Sequence, residues 1–298
     1  MSAANLSALQ RPNDRLRRRK AVNRGMELVA WLAAAIAVGL LGILVFSVAQ
    51  HGASQLNLNL LTKSQVAYDP TAKQGLANAF AGTLVIVAVA TAMALPVGIL
   101  IAIYVNEFAQ RKIRAGVGFV LDILSGVPAI VIGFFVYGLI VISHGQSGLA
   151  GSFALAILML PFVARSTIEV LALVPNSLRE AGLGLGAPRW RTTLGIVLPQ
   201  SIGGILTGAT LAVARTAGET APLLFCSSIV GNGISWNPLH AVQSIPVAIF
   251  ELSESPYPQD HARAWSGGLV LILFILFASL GARWLATRSR RKLGRAAR

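Results

Sequence analysis

The chain has 298 residues, of which 55% are hydrophobic and only 12% are charged. Soluble domains carry about 25% charged residues, so this composition excludes an ordinary water-soluble fold. A net charge of +14 would suggest a nucleic-acid-binding protein if the basic residues formed one patch. They lie instead in short runs beside long apolar segments, which is typical of membrane proteins. The single cysteine, Cys226, excludes an intramolecular disulfide framework and a CxxC metal site, and we expect it to be a packing residue.

Six apolar segments have about the 20 residues that an α-helix needs to cross a bilayer. They are 28–49, 77–105, 116–142, 148–170, 200–226 and 264–285. The first follows a basic region, as in a signal peptide, but it exceeds the roughly 7–15 apolar residues of such a peptide, so we interpret it as a retained helix. Pro96, Pro128 and Pro161 predict kinks in the second, third and fourth segments. The sequence therefore predicts an all-α polytopic membrane protein with six transmembrane helices.

The connections differ in length. Residues 143–148, between the third and fourth segments, form a short polar turn, whereas the fifth and sixth segments are joined by the long stretch 227–263. Within that stretch, residues 239–250 are apolar but too few to span a bilayer. We expect an interfacial or re-entrant helix there.

The Lys and Arg residues indicate the orientation. Most of the 25 lie in the two terminal segments and in the loops around 111–114 and 179–191, whereas Lys63, Lys73 and Arg263 lie in the loops of the other side. Because loops rich in Lys and Arg remain in the cytoplasm, this distribution predicts cytoplasmic N- and C-termini. Two termini on one side require an even number of crossings, which six helices satisfy.

The predicted cytoplasmic loop between the fourth and fifth helices contains a short helical segment. Ser177 and Glu180 have the spacing of a capping box at its start. Gly186 and Pro188 predict its end after about two turns. The residues alone favour two interpretations equally: this helix docks into a cleft of another protein, or it lies on the membrane surface.

The same loop resembles the EAA loop of ABC importer permeases, which reads EAA, three residues, Gly, nine residues and Ile-x-Leu-Pro. The matching residues are Glu180, Ala181, Gly186, Ile196, Leu198 and Pro199, and Gly182 replaces the third-position alanine. The resemblance implies the type I ABC importer permease fold, with 176–199 as the coupling loop that contacts a separate ATPase subunit. The chain has no G-x-x-x-x-G-K-S/T phosphate loop. We therefore expect that it is not an enzyme, that it holds no cofactor, and that the partner subunit binds ATP and Mg²⁺.

Two Arg/Glu pairs lie inside predicted helices: Arg165 with Glu169, and Arg215 with Glu219. A charged residue near the bilayer centre costs about 2.5–3.5 kcal/mol on insertion scales, which makes it a functional candidate. One interpretation is a structural ion pair within each helix. The other is that the guanidinium groups replace the water around a passing oxyanion, because the planar donor fork of arginine suits phosphate. In that case Glu219 holds Arg215 in place.

Arg215 and Glu219 belong to the run ARTAGETAPLLF at 214–225, which resembles the A-type permease of the phosphate-specific (Pst) ABC importer. The resemblance extends over residues 75–285. It implies a phosphate pathway containing Arg215, Glu219 and, about fifty residues upstream, Arg165. It also implies a location in the bacterial cytoplasmic membrane. The implied partners are a sister C-type permease subunit, two copies of an ABC ATPase subunit, an external phosphate-binding protein and membrane lipid, with no nucleic acid.

If 75–285 is the permease domain, three further segments remain to be assigned. They are a basic cytoplasmic arm at 1–26, the first transmembrane helix at 27–49 and a basic cytoplasmic tail at 286–298.

Other interpretations remain open at this level. The same architecture could carry molybdate, sulfate or phosphonate, and a membrane-embedded enzyme or an ATP-independent anion channel could use similar charges without an ATPase. The four histidines are scattered over predicted external loops and form no metal-binding cluster. Glu107 and Asp122 are expected to be charges of a cytoplasmic loop and of the interface.

Overall fold

A computed structural model describes residues 14–65, 75–228 and 233–296. The first half of the predicted N-terminal arm (1–13), Lys73 and residues 229–232 of the long connection lie outside the described residues. The helices in chain order are α1 Asp14–Gly52, α2 Leu58–Thr62, α3 Ala77–Phe108, α4 Arg111–Gly126, α5 Ala129–His144, α6 Gly148–Ala172, α7 Asn176–Gly184, α8 Arg189–Thr216, α9 Ala221–Cys226, α10 Ile245–Ser253 and α11 Pro258–Ala296. The chain divides into two units at Gln50. In the first unit, the apolar side chains of α1 from Leu28 to Phe46 are exposed.

Within the described residues, five helices are long and apolar enough to cross a membrane, and α4 with α5 gives a sixth crossing if this bent pair is one span. Four predicted segments fall within single helices: 28–49 in α1, 77–105 in α3, 148–170 in α6 and 264–285 in α11. These helices are confirmed. Pro96 and Pro161 lie inside α3 and α6, which continue past them.

The third predicted helix, 116–142, is wrong as a continuous element. α4 ends at Gly126, α5 begins at Ala129, and the two helices are bent by 94° relative to each other. Pro128 explains the break, because proline has no N–H and disfavours the helical conformation in the residue before it. Val127 is accordingly extended, with φ −67° and ψ 128°.

The fifth predicted helix, 200–226, is also divided. α8 begins earlier, at Arg189, and ends at Thr216, whereas α9 covers only Ala221–Cys226. Residues 217–220 between them are not helical. Pro222 in the first turn of α9 and Gly218 in the gap favour this break, because proline starts helices well and glycine has a low helix propensity.

α6 is the central helix of the second unit. It packs against α3, α4, α5, α8 and α9. Its Leu155, Met159 and Val163 are fully buried in the largest apolar cluster, together with Ile86 and Ala90 of α3. This packing fixes the backbone of α6, and with it the positions from which its other side chains extend.

The long connection between α9 and α11 contains the helix expected there, but shifted along the chain. α10 covers Ile245–Ser253, and Ser244 caps it by accepting a hydrogen bond from the N–H of Val247 at 3.4 Å. The preceding Gln243 accepts a hydrogen bond from Asn78 at 2.9 Å and donates one to Glu251 at 2.7 Å. The buried hydrogen bond from Asn78 attaches the connection to α3, and the bond to Glu251 ties Gln243 to α10. Burial raises the pKa of the Glu251 carboxyl above its ordinary value.

Glycines bring α8 close to α6. A Cβ atom added to Gly204 would lie 2.5 Å from Cγ1 of Val170, and one added to Gly208 would lie 2.7 Å from Cβ of Ser166. Gly204 and Gly208 have the GxxxG spacing that lets helix backbones approach closely in membranes. Gly98 of α3 meets Val163 in the same way, at 2.8 Å. The packing of α6 therefore depends on small residues in its neighbours.

Gly208→Ala should lower the unfolding free energy by about 1–3 kcal/mol, because overpacking forces a shift of well-packed atoms. The matched control is Gly116→Ala on α4, where an added Cβ meets nothing within 4 Å; it should be neutral or stabilising by up to about 1 kcal/mol through helix propensity. Thermal unfolding of the purified chain in detergent measures both. Equal effects at the two positions would contradict this packing.

Candidate functional site

α6 serves as a ruler for the depth of the candidate pathway residues. At a rise of 1.5 Å per residue, Phe162 lies about 21 Å from the Gly148 end of α6 and about 15 Å from the Ala172 end. Arg165 lies one turn further, about 10 Å from the Ala172 end. Residues three apart on a helix share a face, so Phe162 and Arg165 occupy one surface near the middle of the span.

Arg165 forms an ion pair, but not with the residue expected from the sequence. Its Nη2 donates hydrogen bonds to the carboxylate of Asp122 and, at 2.7 Å, to the carbonyl oxygen of Gly118, both on α4. The expected partner, Glu169, is exposed and makes no ion pair among the described residues. The Arg165 and Asp122 side chains are 36% and 68% exposed, so this ion pair joins α4 to α6 at an accessible surface.

Arg215 lies against the same face of α6. Its guanidinium carbon is 4.1 Å from the centre of the Phe162 ring, which is a cation–π contact. The residue is exposed, and the described residues contain no ion pair to it. The structure therefore places both guanidinium groups at one stretch of α6, with that of Arg215 over the Phe162 ring.

The expected pairing of Glu219 with Arg215 is wrong. It assumes that both residues lie four apart on one helix, but α8 ends at Thr216. Glu219 instead lies in the gap at 217–220, where its N–H donates to the carbonyl oxygen of Thr216 at 3.1 Å. Non-helical backbone at membrane depth requires protein or water around it, and here α9 continues the chain by packing on α5 and α6.

The loop from 173 to 188, here named the motif loop, contains the short helix α7. Gly186 ends its last turn with a positive φ of 79°, as expected. The capping box is wrong: the helix begins at Asn176, Ser177 lies inside it, and no side chain caps the first turn. Pro175 precedes the helix, and Asn176 instead accepts a hydrogen bond from Nη1 of Arg179 at 3.3 Å.

The second half of the EAA-like pattern is part of α8. Ile196 lies in a π-helical turn at Thr193–Val197, and Leu198 and Pro199 follow it inside the same helix, so the predicted coupling loop 176–199 is too long at its C-terminal end. A π-helical turn relieves the i−4 hydrogen bond that a proline cannot make.

Gly182, the departure from the pattern, has a steric reason. A Cβ there would lie 2.8 Å from Cγ2 and Oγ1 of Thr192 and 3.1 Å from Cδ1 of Ile196. Glycine at this position therefore lets α7 pack directly on the start of α8.

The outer surface of the motif loop is apolar and exposed. Leu185 is 88% exposed, Leu173 is 81% exposed and Trp190, at the start of α8, is 53% exposed. Glu180 and Ala181 are also exposed. Large exposed apolar side chains on one loop favour a protein or membrane contact there.

Two acidic residues that the sequence assigned to loop or interface positions prove to be partners of arginines. Asp122 pairs with Arg165, and Glu107 pairs with Arg179 of the motif loop at 2.8 Å. The position of Asp122 inside an apolar segment could have indicated that it needs a basic partner. Nothing in the sequence relates Glu107 to Arg179. Among the described residues, no group of His, Cys, Asp or Glu is placed to hold a metal ion.

Comparison with known proteins identifies the family. Residues 94–291 match the family described as binding-protein-dependent transport system inner membrane component. The chain is 38% identical to the phosphate transport system permease protein PstA of Haemophilus influenzae, over 89% of this chain and 94% of that protein. It is 39% identical to phosphate transport system permease protein PstA 1 of Mycobacterium tuberculosis, over 73% and 72% of the two chains.

Solved structures agree on the fold. A bacterial alginate ABC transporter, solved in complex with a pentasaccharide-bound periplasmic protein, matches 90% of this chain and 96% of its own with a TM-score of 0.63 at 16% identity. The MetNI methionine ABC transporter in an inward-facing conformation matches 72% and 94% with a TM-score of 0.57 at 19% identity. The chain therefore belongs to the inner-membrane components of binding-protein-dependent transport systems, as a multi-pass permease of the PstA group.

Proposed function

We propose that this chain is the transmembrane permease subunit of an ATP-driven importer of inorganic phosphate and forms half of the anion pathway. The observation that carries this proposal is the pair of guanidinium groups beside the middle of α6, Arg165 on that helix and Arg215 over Phe162. Relatives at 36–41% identity are named as phosphate transport permeases, which supports phosphate over other oxyanions as the substrate.

The exposure of these residues argues for a second membrane subunit. A guanidinium group facing hydrocarbon costs about 2.5–3.5 kcal/mol or more, yet Arg215 is exposed on the isolated chain. A sister permease across this face would cover the arginines and leave a water-filled path between the subunits. Such a path is where intramembrane charges normally lie.

Asp122 gives Arg165 a counter-ion when no substrate is present. Because the carboxylate is 68% exposed, the ion pair is weak, of the order of 0.2–1 kcal/mol. A phosphate oxyanion entering the path then replaces the Asp122 carboxylate at Arg165, because both groups accept hydrogen bonds from the guanidinium. Arg215 needs no such exchange, since its ring contact leaves the N–H groups at the edge of the guanidinium plane for an anion. Glu219, in the neighbouring break, adds negative charge that favours release.

The motif loop is the proposed contact with the ATPase. In this assembly the motif loop and both termini are cytoplasmic, a pair of ATPase subunits binds ATP and Mg²⁺, and an external phosphate-binding protein delivers the substrate. ATP binding closes the ATPase pair, which displaces α7 near Glu180 and opens the pathway outward. A ligand shifts such an equilibrium only by the difference between its affinities for the two states.

Uptake of labelled phosphate into proteoliposomes tests the function directly. With the sister permease, the ATPase and the binding protein present, uptake should require ATP, and sulfate or molybdate should compete poorly. Uptake without the ATPase would favour the anion channel. Strong competition by another oxyanion would reassign the substrate.

Arg215→Gln should lower uptake at least tenfold, roughly the loss of one charge-assisted hydrogen bond to the anion, while the complex still assembles. Uptake by the Arg215→Lys variant should lie between that of the wild type and that of Arg215→Gln, because lysine keeps the charge but loses the planar fork. Arg111→Gln, an exposed arginine on α4, is the control and should transport normally. Failure of Arg215→Gln to assemble would instead indicate a structural role.

Asp122→Asn should tighten equilibrium binding of phosphate to the purified complex by up to about fivefold, the equivalent of one exposed ion pair. Equilibrium dialysis without the binding protein measures this affinity. In an Arg165→Gln background the same substitution should have no effect. An equal gain in both backgrounds would show that Asp122 acts through long-range charge and not through Arg165.

Leu185→Glu should weaken association with the ATPase at least tenfold, because it places a charge in the apolar contact, and one such contact is worth about 1.4 kcal/mol or more. Co-purification and titration measure the association. Leu58→Glu, which alters a similarly exposed leucine on the short helix α2 (80% against 88%), should leave ATPase binding unchanged. Normal binding of the Leu185 variant would assign the motif loop to the membrane surface.

A further inference from the structure

The last turn of α3 is bound to two other helices by arginines. This turn is π-helical, from Tyr104 to Phe108, and it carries Glu107. Arg114 of α4 donates to the carbonyl oxygens of Val105 and Asn106, both at 3.0 Å. Arg179 of α7 donates to Glu107. The end of a membrane-spanning helix is thus tied both to α4 and to the motif loop.

Arg179 makes an unusually complete set of hydrogen bonds. Its Nε donates to Oε2 of Glu107 at 3.1 Å, and its Nη2 donates to Oε1 at 2.8 Å, which is a bidentate pair. The same guanidinium donates to the carbonyl oxygens of Leu171 at 2.9 Å and Val174 at 2.6 Å. Leu171 lies in the last turn of α6, whose terminal carbonyls have no partner within the helix. One side chain of α7 therefore holds the ends of both α3 and α6.

Among the ion pairs of the described residues, Glu107–Arg179 is enclosed, whereas Arg165–Asp122 is accessible. The Arg179 and Glu107 side chains are 18% and 8% exposed, compared with 36% and 68% for Arg165 and Asp122. Surface ion pairs contribute little because water screens them, whereas truncating one partner of a buried, hydrogen-bonded pair leaves an uncompensated charge. The link between α7 and α3 is correspondingly stiff.

An open cavity adjoins the link between α7 and α3. A cavity of about 450 Å³ borders Glu107 and Arg179, and it extends to Arg189 and Thr192 at the start of α8. α7 also packs on the start of α8 at Gly182, and the chain joins it directly to the end of α6. Among the described residues, the side-chain hydrogen bonds from α7 to α3 are those of Arg179, so a displacement of α7 reaches α3 through this side chain.

We propose that the Glu107–Arg179 pair is the mechanical link that converts movement of the motif loop into movement of α3 and α6, the helices that carry and support the pathway. These are positioning residues: they touch neither the anion nor ATP. The proposal rests on the proposed function, since it requires an ATPase that moves α7. It assigns to Arg179 the role of keeping hydrolysis and transport in step.

The test compares phosphate imported per ATP hydrolysed in the reconstituted complex. Glu107→Gln should assemble and hydrolyse ATP but import at least about tenfold less phosphate per ATP, the equivalent of losing one charge-assisted hydrogen bond. Arg179→Lys should give an intermediate ratio, because a single ammonium cannot reach the carboxylate and both carbonyl oxygens. An unchanged ratio in Glu107→Gln overturns the proposal.

The matched control is the Asp260–Arg263 pair. Its side chains are 15% and 12% exposed, so they are as enclosed as the link, but they lie at the start of α11, away from the motif loop. Asp260→Asn should lower thermal stability without changing the transport ratio. If both variants change the ratio equally, the effect is one of stability and the link has no special role.

A cross-linked variant keeps the proposal testable if Glu107→Gln folds poorly. In a Cys226→Ser background, Glu107→Cys with Arg179→Cys should be uncoupled when free and coupled again when a short bis-thiosulfonate reagent joins the two thiols. Absence of recovery after complete cross-linking overturns the link. Absence of ATP-driven uptake in the wild-type complex would instead contradict the proposed function, so the two failures are distinguishable.

Discussion

Charged guanidinium groups inside a membrane protein must be kept away from hydrocarbon, and the second unit of this chain is organised around that constraint. Both candidate arginines lie beside α6, the helix that packs against five others. Its buried face fixes the backbone, and its other face presents Arg165 and the Phe162 ring that supports Arg215. A helix packed on five others thus positions the charges, and the Arg165–Asp122 ion pair lies at an accessible surface.

The same logic of placement separates two kinds of ion pair. Arg165 and Asp122 are accessible and join α4 to α6, which suits a contact that opens and closes. Arg179 and Glu107 are enclosed and reinforced by backbone carbonyls, which suits a contact that holds while other parts move. Exposure, more than the chemical identity of the pair, distinguishes the proposed exchange site from the proposed link.

Local sequence patterns predicted the long helices and the motif loop. The length of an apolar segment and the Gly and Pro residues at its ends act within that segment alone. These patterns failed where tertiary contacts decide. Pro128 ended a helix that apolarity alone would have continued, and the end of α8 at Thr216 removed the expected Arg215–Glu219 pair. Glu107 and Arg179 are 72 residues apart, so only the fold could bring them together. Gly182 is explained by Thr192 of the next helix and not by the propensity of its own.

The central claim is that Arg215 borders a water-filled anion path between two subunits. In an Arg215→Cys, Cys226→Ser variant of the assembled complex, a charged thiosulfonate reagent should modify position 215 from the aqueous phase, and phosphate should slow the reaction. Modification only by a lipid-soluble maleimide, with no effect of phosphate, would place this residue against lipid and contradict the account.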